Sequence, residues 1–162
     1  VGWIQGAITF TVIFDYPSAL QFSPGRRSRL ENYLGGDIDQ AAGTWAEASA
    51  TSWVDGSEPP FLLIHGLDDS TIEPEQSLNF AKVLEQAGVN EDLLPFPGAD
   101  HEEIINSEQS FEAVEDFLAN LARIPVERRR LAHNPRDSQT AIPMCRLQNG
   151  SVADKRRGKT IR

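Results

Sequence analysis

The chain has 162 residues, 40% of them hydrophobic, with a formal net charge of −9 and a single cysteine, Cys145. That length and apolar content fit one domain with its own core. They exclude an internal disulfide framework and a multi-cysteine zinc site. No apolar run approaches the roughly 20 residues of a membrane span, and no signal peptide is visible.

Ile4–Phe14 is apolar and rich in β-branched residues, with Ile8, Thr9, Thr11, Val12 and Ile13, and Asp15-Tyr16-Pro17 stops it. It reads as a buried strand. Residues 21–58 are a mixed, loop-rich excursion. Arg29–Leu34 forms one or two helical turns ended by Gly35-Gly36, and Thr44–Ala50 forms a second short helix. Phe61–Ile64 is a continuous apolar strand of the kind covered on both faces in parallel sheets. Pro74 suits the first turn of a helix. Leu78, Ala81, Leu84 and Ala87 then recur every three residues before a capping Gly88. Leu93–Phe96 is a short third strand, placed at an edge by Pro95, which cannot donate to a ladder. Phe111, Val114, Phe117, Leu118 and Leu121 make a helical stripe. Strand, helix, strand, helix predicts an α/β fold with a short parallel sheet flanked by helices.

Beyond Leu121 the pattern ends. Residues 123–162 carry eleven Lys or Arg against three acids, whereas residues 1–122 carry four against twenty-one. This break divides the chain into a folded unit, 1–122, and a basic tail, 123–162, expected to be disordered.

Chemistry in open α/β sheets sits in loops beyond the carboxyl ends of the strands. The loop after Ile64 holds His65, Gly66, Asp68 and Asp69; the loop after Phe96 holds Gly98, Asp100 and His101. A carboxylate that accepts from histidine Nδ1–H fixes the tautomer and leaves Nε2 to take a proton from a nucleophile. Glycines 66 and 98 permit the sharp turns such loops need. On spacing alone, an Asp and a His in loops are more often solvated surface groups. His65, at a strand end, more often pins a loop by hydrogen bonding than titrates for function.

Residues 59–121 carry Pro60-Phe61-Leu62-Leu63-Ile64-His65-Gly66-Leu67-Asp68-Asp69, Thr71-Ile72-Glu73-Pro74 with Gln76-Ser77, and Gly98-Ala99-Asp100-His101. These segments resemble the C-terminal part of α/β-hydrolase-fold esterases and lipases, including the carboxylesterase, feruloyl-esterase-like and prolyl-oligopeptidase-like branches. Leu34-Gly35-Gly36, Ala48-Ser49 and the first strand also look like the segments that precede this region. The resemblance implies a partial α/β-hydrolase fold. It implies that the last residue of His-Gly-x-x-Asp, Asp69 rather than Asp68, is the acid of a Ser-Asp-His triad, and that His101 is its histidine. It implies hydrolysis of a small-molecule carboxylic ester without metal or organic cofactor.

In that family the serine precedes the acid and the histidine. No Gly-x-Ser-x-Gly occurs here, no methionine starts the chain, and the one Met is Met144. The chain therefore reads as a fragment, inactive alone. Ser70, Ser18, Ser23 and Ser28 lack an elbow's flanking glycines. A peptidase of the prolyl-oligopeptidase-like branch, or a degenerate domain serving as a binding scaffold, fits the same features. Nucleic-acid binding through Arg128-Arg129-Arg130 and Lys155-Arg156-Arg157 is disfavoured, because the tail has no aromatic residue for stacking and the folded unit is acidic. The compartment stays open, with the missing disulfide framework slightly favouring the cytoplasm.

Overall fold

A computed structural model describes residues 4–22 and 24–123. Of the tail expected to be disordered, Arg123 is described, as the last residue of a helix; the rest, with both basic clusters, lies outside these residues. Three strands, β1 (Ala7–Phe10), β2 (Phe61–Gly66) and β3 (Glu91–Phe96), form one parallel sheet in the order β1-β2-β3. Ala7 pairs with Phe61 and Phe61 with Glu91, so the three strands run in step to their carboxyl ends. The helices are α1 (Tyr16–Phe22), α2 (Arg27–Leu34), α3 (Ala42–Ala48), α4 (Glu75–Ala87), α5 (His101–Ile105) and α6 (Glu108–Arg123).

The alternating side chains of β2 divide the core between the two faces of the sheet. Leu63 joins Phe14, Phe80, Ala81, Leu84 and Val89 beneath α4. Leu62 and Ile64 join Ile104, Phe117 and Leu121 beneath α5 and α6. Phe14 stacks on Phe80 with ring centroids 4.1 Å apart, and Phe61 meets Phe80 edge-on. Each element covers one face of the central strand, which explains the unbroken apolar run in β2.

Several local expectations shift. The first strand is four residues rather than eleven, and it is half-buried, because among the described residues it has a neighbour only in β2. It ends where Thr11 takes a left-handed conformation, φ +46°, while its N–H still donates to the Ile64 carbonyl. Phe14 is buried, but beyond the strand. Asp15-Tyr16-Pro17, read only as the stop of the strand, also begins a helix: the Asp15 carboxylate accepts from the Ser18 N–H at 2.7 Å, and Pro17 occupies the first turn. The excursion of 21–58 is built from α2, α3 and two 3-10 turns, and with α1 before it encloses a core of its own, Ala19, Leu20, Leu30, Leu34 and Trp45.

In α4 the buried line is Ser77, Phe80, Ala81 and Leu84, with Gln76 beside it, so Leu78 flanks the core instead of filling it. In α6 Phe117 and Leu121 are buried while Phe111 and Leu118 face outward. Pro95 sits in β3, an edge strand. The Asn90 and Phe96 carbonyls face β2, so alternation turns the Pro95 nitrogen to the open side, where no N–H is needed.

Candidate functional site

The register that sets Gly66 opposite Phe96 delivers the loops after β2 and β3 side by side at the carboxyl end of the sheet. Gly66 owes its identity to space, not to a turn: a Cβ there would lie 2.3 Å from the Ala99 carbonyl oxygen. The loops are stitched together by Leu67 N–H to Phe96 O and Asp68 N–H to Ala99 O. Gly98, with φ +81°, does make the turn expected of it.

Asp69 and His101 meet across this seam. His101 Nδ1 lies 2.8 Å from Asp69 Oδ2, the Asp69 side chain is fully buried and that of His101 is 31% exposed. Asp69 Oδ1 accepts from the N–H groups of Thr71 and Ile72 at 2.7 and 2.8 Å. Both carboxylate oxygens are thus engaged by donors, as a buried carboxylate requires. Among the described residues nothing hydrogen-bonds to His101 Nε2. With Nδ1 donating to a carboxylate, that nitrogen is an acceptor in the neutral ring. Asp68, its neighbour, is exposed.

His101 is the first residue of α5 rather than part of a loop. Asp100 caps that helix by accepting from the Glu102 and Glu103 N–H groups, and the Glu103 carboxylate returns to the Asp100 N–H. This capping box fixes the backbone at His101. Its signature, Asp100 followed three residues later by Glu103, is present in the sequence.

His65 is the buried anchor its position suggested. Its Nδ1 lies 2.6 Å from Ser77 Oγ and its Nε2 lies 2.9 Å from the Ile72 carbonyl oxygen, with Asp69 Oδ2 a further 3.5 Å neighbour. Two supports had no reading from spacing. Arg26, from the excursion, pairs with Glu73 at 3.0 Å and donates to the Thr71 carbonyl, bracing the acid's turn from outside. Gln76 accepts from the Phe14 and Asp15 N–H groups and donates to the Asp15 carbonyl and Ser18 Oγ. Both the oxygen and the nitrogen of its amide are used twice, tying the start of α4 to the start of α1.

No serine hydroxyl among the described residues hydrogen-bonds to His101. Ser77 serves His65, Ser49 the Trp45 carbonyl, and Ser18 the Asp15 carbonyl and Gln76. Among the described residues no group of three or more His, Cys, Asp or Glu is placed to hold a metal ion, and no helix is long and apolar enough to cross a membrane.

The fold is shared with known hydrolases. A truncated carbohydrate esterase from gut microbiota superposes with a TM-score of 0.63 at 20% identity, over 75% of this chain and 44% of that one. The acylaminoacyl peptidase of Pyrococcus horikoshii gives 0.61 at 20% identity, over 78% and 22%. Esterase 2 of Thermogutta terrifontis, in a form phosphoramylated by tabun, gives 0.55 at 22% identity, over 72% and 41%. The chain thus spans less than half the length of each, and the likeness is one of fold: a partial α/β-hydrolase sheet with its helices. No curated protein matches the chain. A family model described as the prolyl oligopeptidase family matches residues 28–124, from the first turn of α2 to the end of α6. With more than half of its length matched, the chain belongs to the prolyl oligopeptidase family of hydrolases.

Proposed function

We propose that Asp69 and His101 are the acid and the base of a serine-dependent acyl transfer to water, with a small carboxylic ester as substrate. The observation that carries this reading is the 2.8 Å contact between His101 Nδ1 and a buried Asp69 carboxylate, with Nε2 left open. His101 Nε2 accepts the proton of a serine hydroxyl as its oxygen attacks the ester carbonyl, then delivers it to the leaving alcohol. Asp69 keeps the proton on Nδ1 and stabilises the imidazolium between those steps. No cofactor enters. Membership of a family named for an oligopeptidase, and the fold shared with acylaminoacyl peptidases, favour an amide as the second substrate; the leaving group is then an amine.

The reading assigns the nucleophile to polypeptide outside these 162 residues, which contain no Gly-x-Ser-x-Gly. It treats residues 1–122 as the second half of a catalytic domain and 123–162 as a basic appendage. Losing such a serine costs on the order of 10⁶ in turnover. The chain alone is therefore expected to take no label from a fluorophosphonate probe and to leave p-nitrophenyl esters intact. A polypeptide extended N-terminally through an elbow serine is expected to label and turn over, and His101→Ala there should remove activity by a factor on the order of 10⁴–10⁶. Labelling of the chain alone, or turnover that survives His101→Ala, would refute the assignment. An extended polypeptide with no elbow serine and no turnover would instead support a binding scaffold.

A further inference from the structure

The proposed reaction makes no use of His65, yet its surroundings are fully specified. The side chain is 1% exposed, with Nδ1 2.6 Å from Ser77 Oγ and Nε2 2.9 Å from the Ile72 carbonyl oxygen. A carbonyl only accepts, so Nε2 carries a hydrogen. In the neutral ring Nδ1 is then an acceptor, and the Ser77 hydroxyl donates to it. The protein, not solvent, sets this tautomer. Ile72, held through its carbonyl, donates its own N–H to Asp69 Oδ1, and the Thr71 N–H joins it. The turn that grips the acid is itself gripped by His65.

We propose that His65, held in its Nε2–H tautomer by the Ile72 carbonyl and anchored at Nδ1 by Ser77, is a positioning residue that fixes the Thr71–Ile72 turn and thereby aims the Asp69 carboxylate at His101. The inference rests on the reading of Asp69 and His101 as an acid–base pair. Without the imidazole, the Ile72 carbonyl loses its donor and relaxes toward water, drawing its amide away from Oδ1. The carboxylate then turns freely, and Oδ2 no longer stays on His101 Nδ1. The site thus holds two histidines in opposite tautomers, His65 in β2 as Nε2–H and His101 at the start of α5 as Nδ1–H, both bonded to the same acid loop.

Nitrogen-15 NMR of the imidazoles in the 162-residue chain at neutral pH distinguishes the tautomers, and amide hydrogen exchange reads the turn. The wild-type chain is expected to show His65 as Nε2–H and His101 as Nδ1–H. His65→Leu should speed exchange at Thr71 and Ile72 about fivefold or more, the equivalent of one net hydrogen bond, and leave His101 a mixture of tautomers. His65→Gln, whose amide nitrogen can donate to the Ile72 carbonyl, should restore both readouts. Ser77→Ala keeps the imidazole and removes only its donor, so it carries the test if His65→Leu does not fold. In Ser77→Ala, His65 keeps Nε2–H on the Ile72 carbonyl but loses the anchor at Nδ1, so the turn amides should exchange faster and His101 should become a mixture of tautomers, while core amides such as Leu63 stay protected. A wild-type His101 that is not Nδ1–H would overturn the acid–base pair and the positioning role together. A wild-type His101 in the Nδ1–H form that stays so in both variants, with turn amides no faster, would overturn the positioning role alone.

Discussion

Gly66→Ala tests whether the seam between β2 and the segment before His101 is as tight as the site requires. A Cβ at residue 66 would lie 2.3 Å from the Ala99 carbonyl oxygen, 2.9 Å from its carbon and 3.0 Å from the Asp100 oxygen. Carbon and carbonyl oxygen meet comfortably at roughly 3.3 Å, so the overlap is about 1 Å. All three obstructing atoms are backbone, and no side-chain rotation relieves them. The segment 98–100 must move away from β2, which strains the Asp68 N–H bond to Ala99 O. Overpacking of this kind costs about 1–3 kcal/mol, and loss of the bond adds about 1 kcal/mol. We therefore expect Gly66→Ala to lose about 2–4 kcal/mol in urea denaturation. His101 follows directly on Asp100, so the displacement also reaches Nδ1. In imidazole NMR, His101 should lose its Nδ1–H signature even where the variant remains folded. An unchanged denaturation midpoint together with an intact His101 signature would refute the reasoning.

Asp92, in β3, has its carboxyl pushed above the usual range by burial. A raised folded value means the protonated form is favoured in the fold, a contribution fully present below the unfolded value and lost as pH rises through the folded one. Asp92→Asn should therefore melt above the wild type at pH 7, and the gap should close near pH 3; an equal gap at both values would contradict this. Gln76→Leu leaves the Phe14 and Asp15 N–H groups without acceptors and should cost about 2–4 kcal/mol in urea denaturation. In α6, Phe117→Ala should cost about 3–5 kcal/mol, whereas Phe111→Ala, 56% exposed, should stay within about 0.5 kcal/mol of wild type. Equal losses at the two positions would show that the helix is rotated from the face described.

The elements that the sequence displayed most clearly were those whose burial is decided locally. The unbroken run in β2 requires cover on both faces, and it has α4 on one and α5 with α6 on the other. Gly88 ends α4 in a left-handed cap, φ +78°, as its place after Ala87 suggested. What spacing could not show depended on distant partners. Phe111 and Phe117 belong to one apolar stripe, and only the position of the sheet decides which of them is inside. β1 is short because Thr11 leaves the extended conformation, φ +46°, a break that a run of β-branched residues does not announce. Gly66 looked like a turn residue and is instead a point of close approach, which no local pattern distinguishes. Asp69 and His101 were nameable as a pair, but the His65–Ile72–Asp69 chain of hydrogen bonds joins residues whose sequence gives only their types.

The hydrogen bonds to the Asp69 and His101 side chains come from residues 69–101, and the two strands that lead into those residues are β2, from Phe61, and β3, from Glu91. The segment from Phe14 through α1, α2 and α3 touches this set through Arg26 on the acid's turn, through the Phe14 and Asp15 amides held by Gln76, and through Phe14 stacked on Phe80 with Val54 packed against the same core. Its own core around Trp45 is separate from the two that sandwich the sheet. Changes inside that small core should therefore alter local stability without disturbing the His101–Asp69 distance. Changes at Arg26 or Gln76 should propagate, because each is bonded to backbone that leads into the acid loop or into α4. The geometry of the pair is a property of two neighbouring strands and one braced turn. The excursion is free to vary in shape as long as those contacts persist.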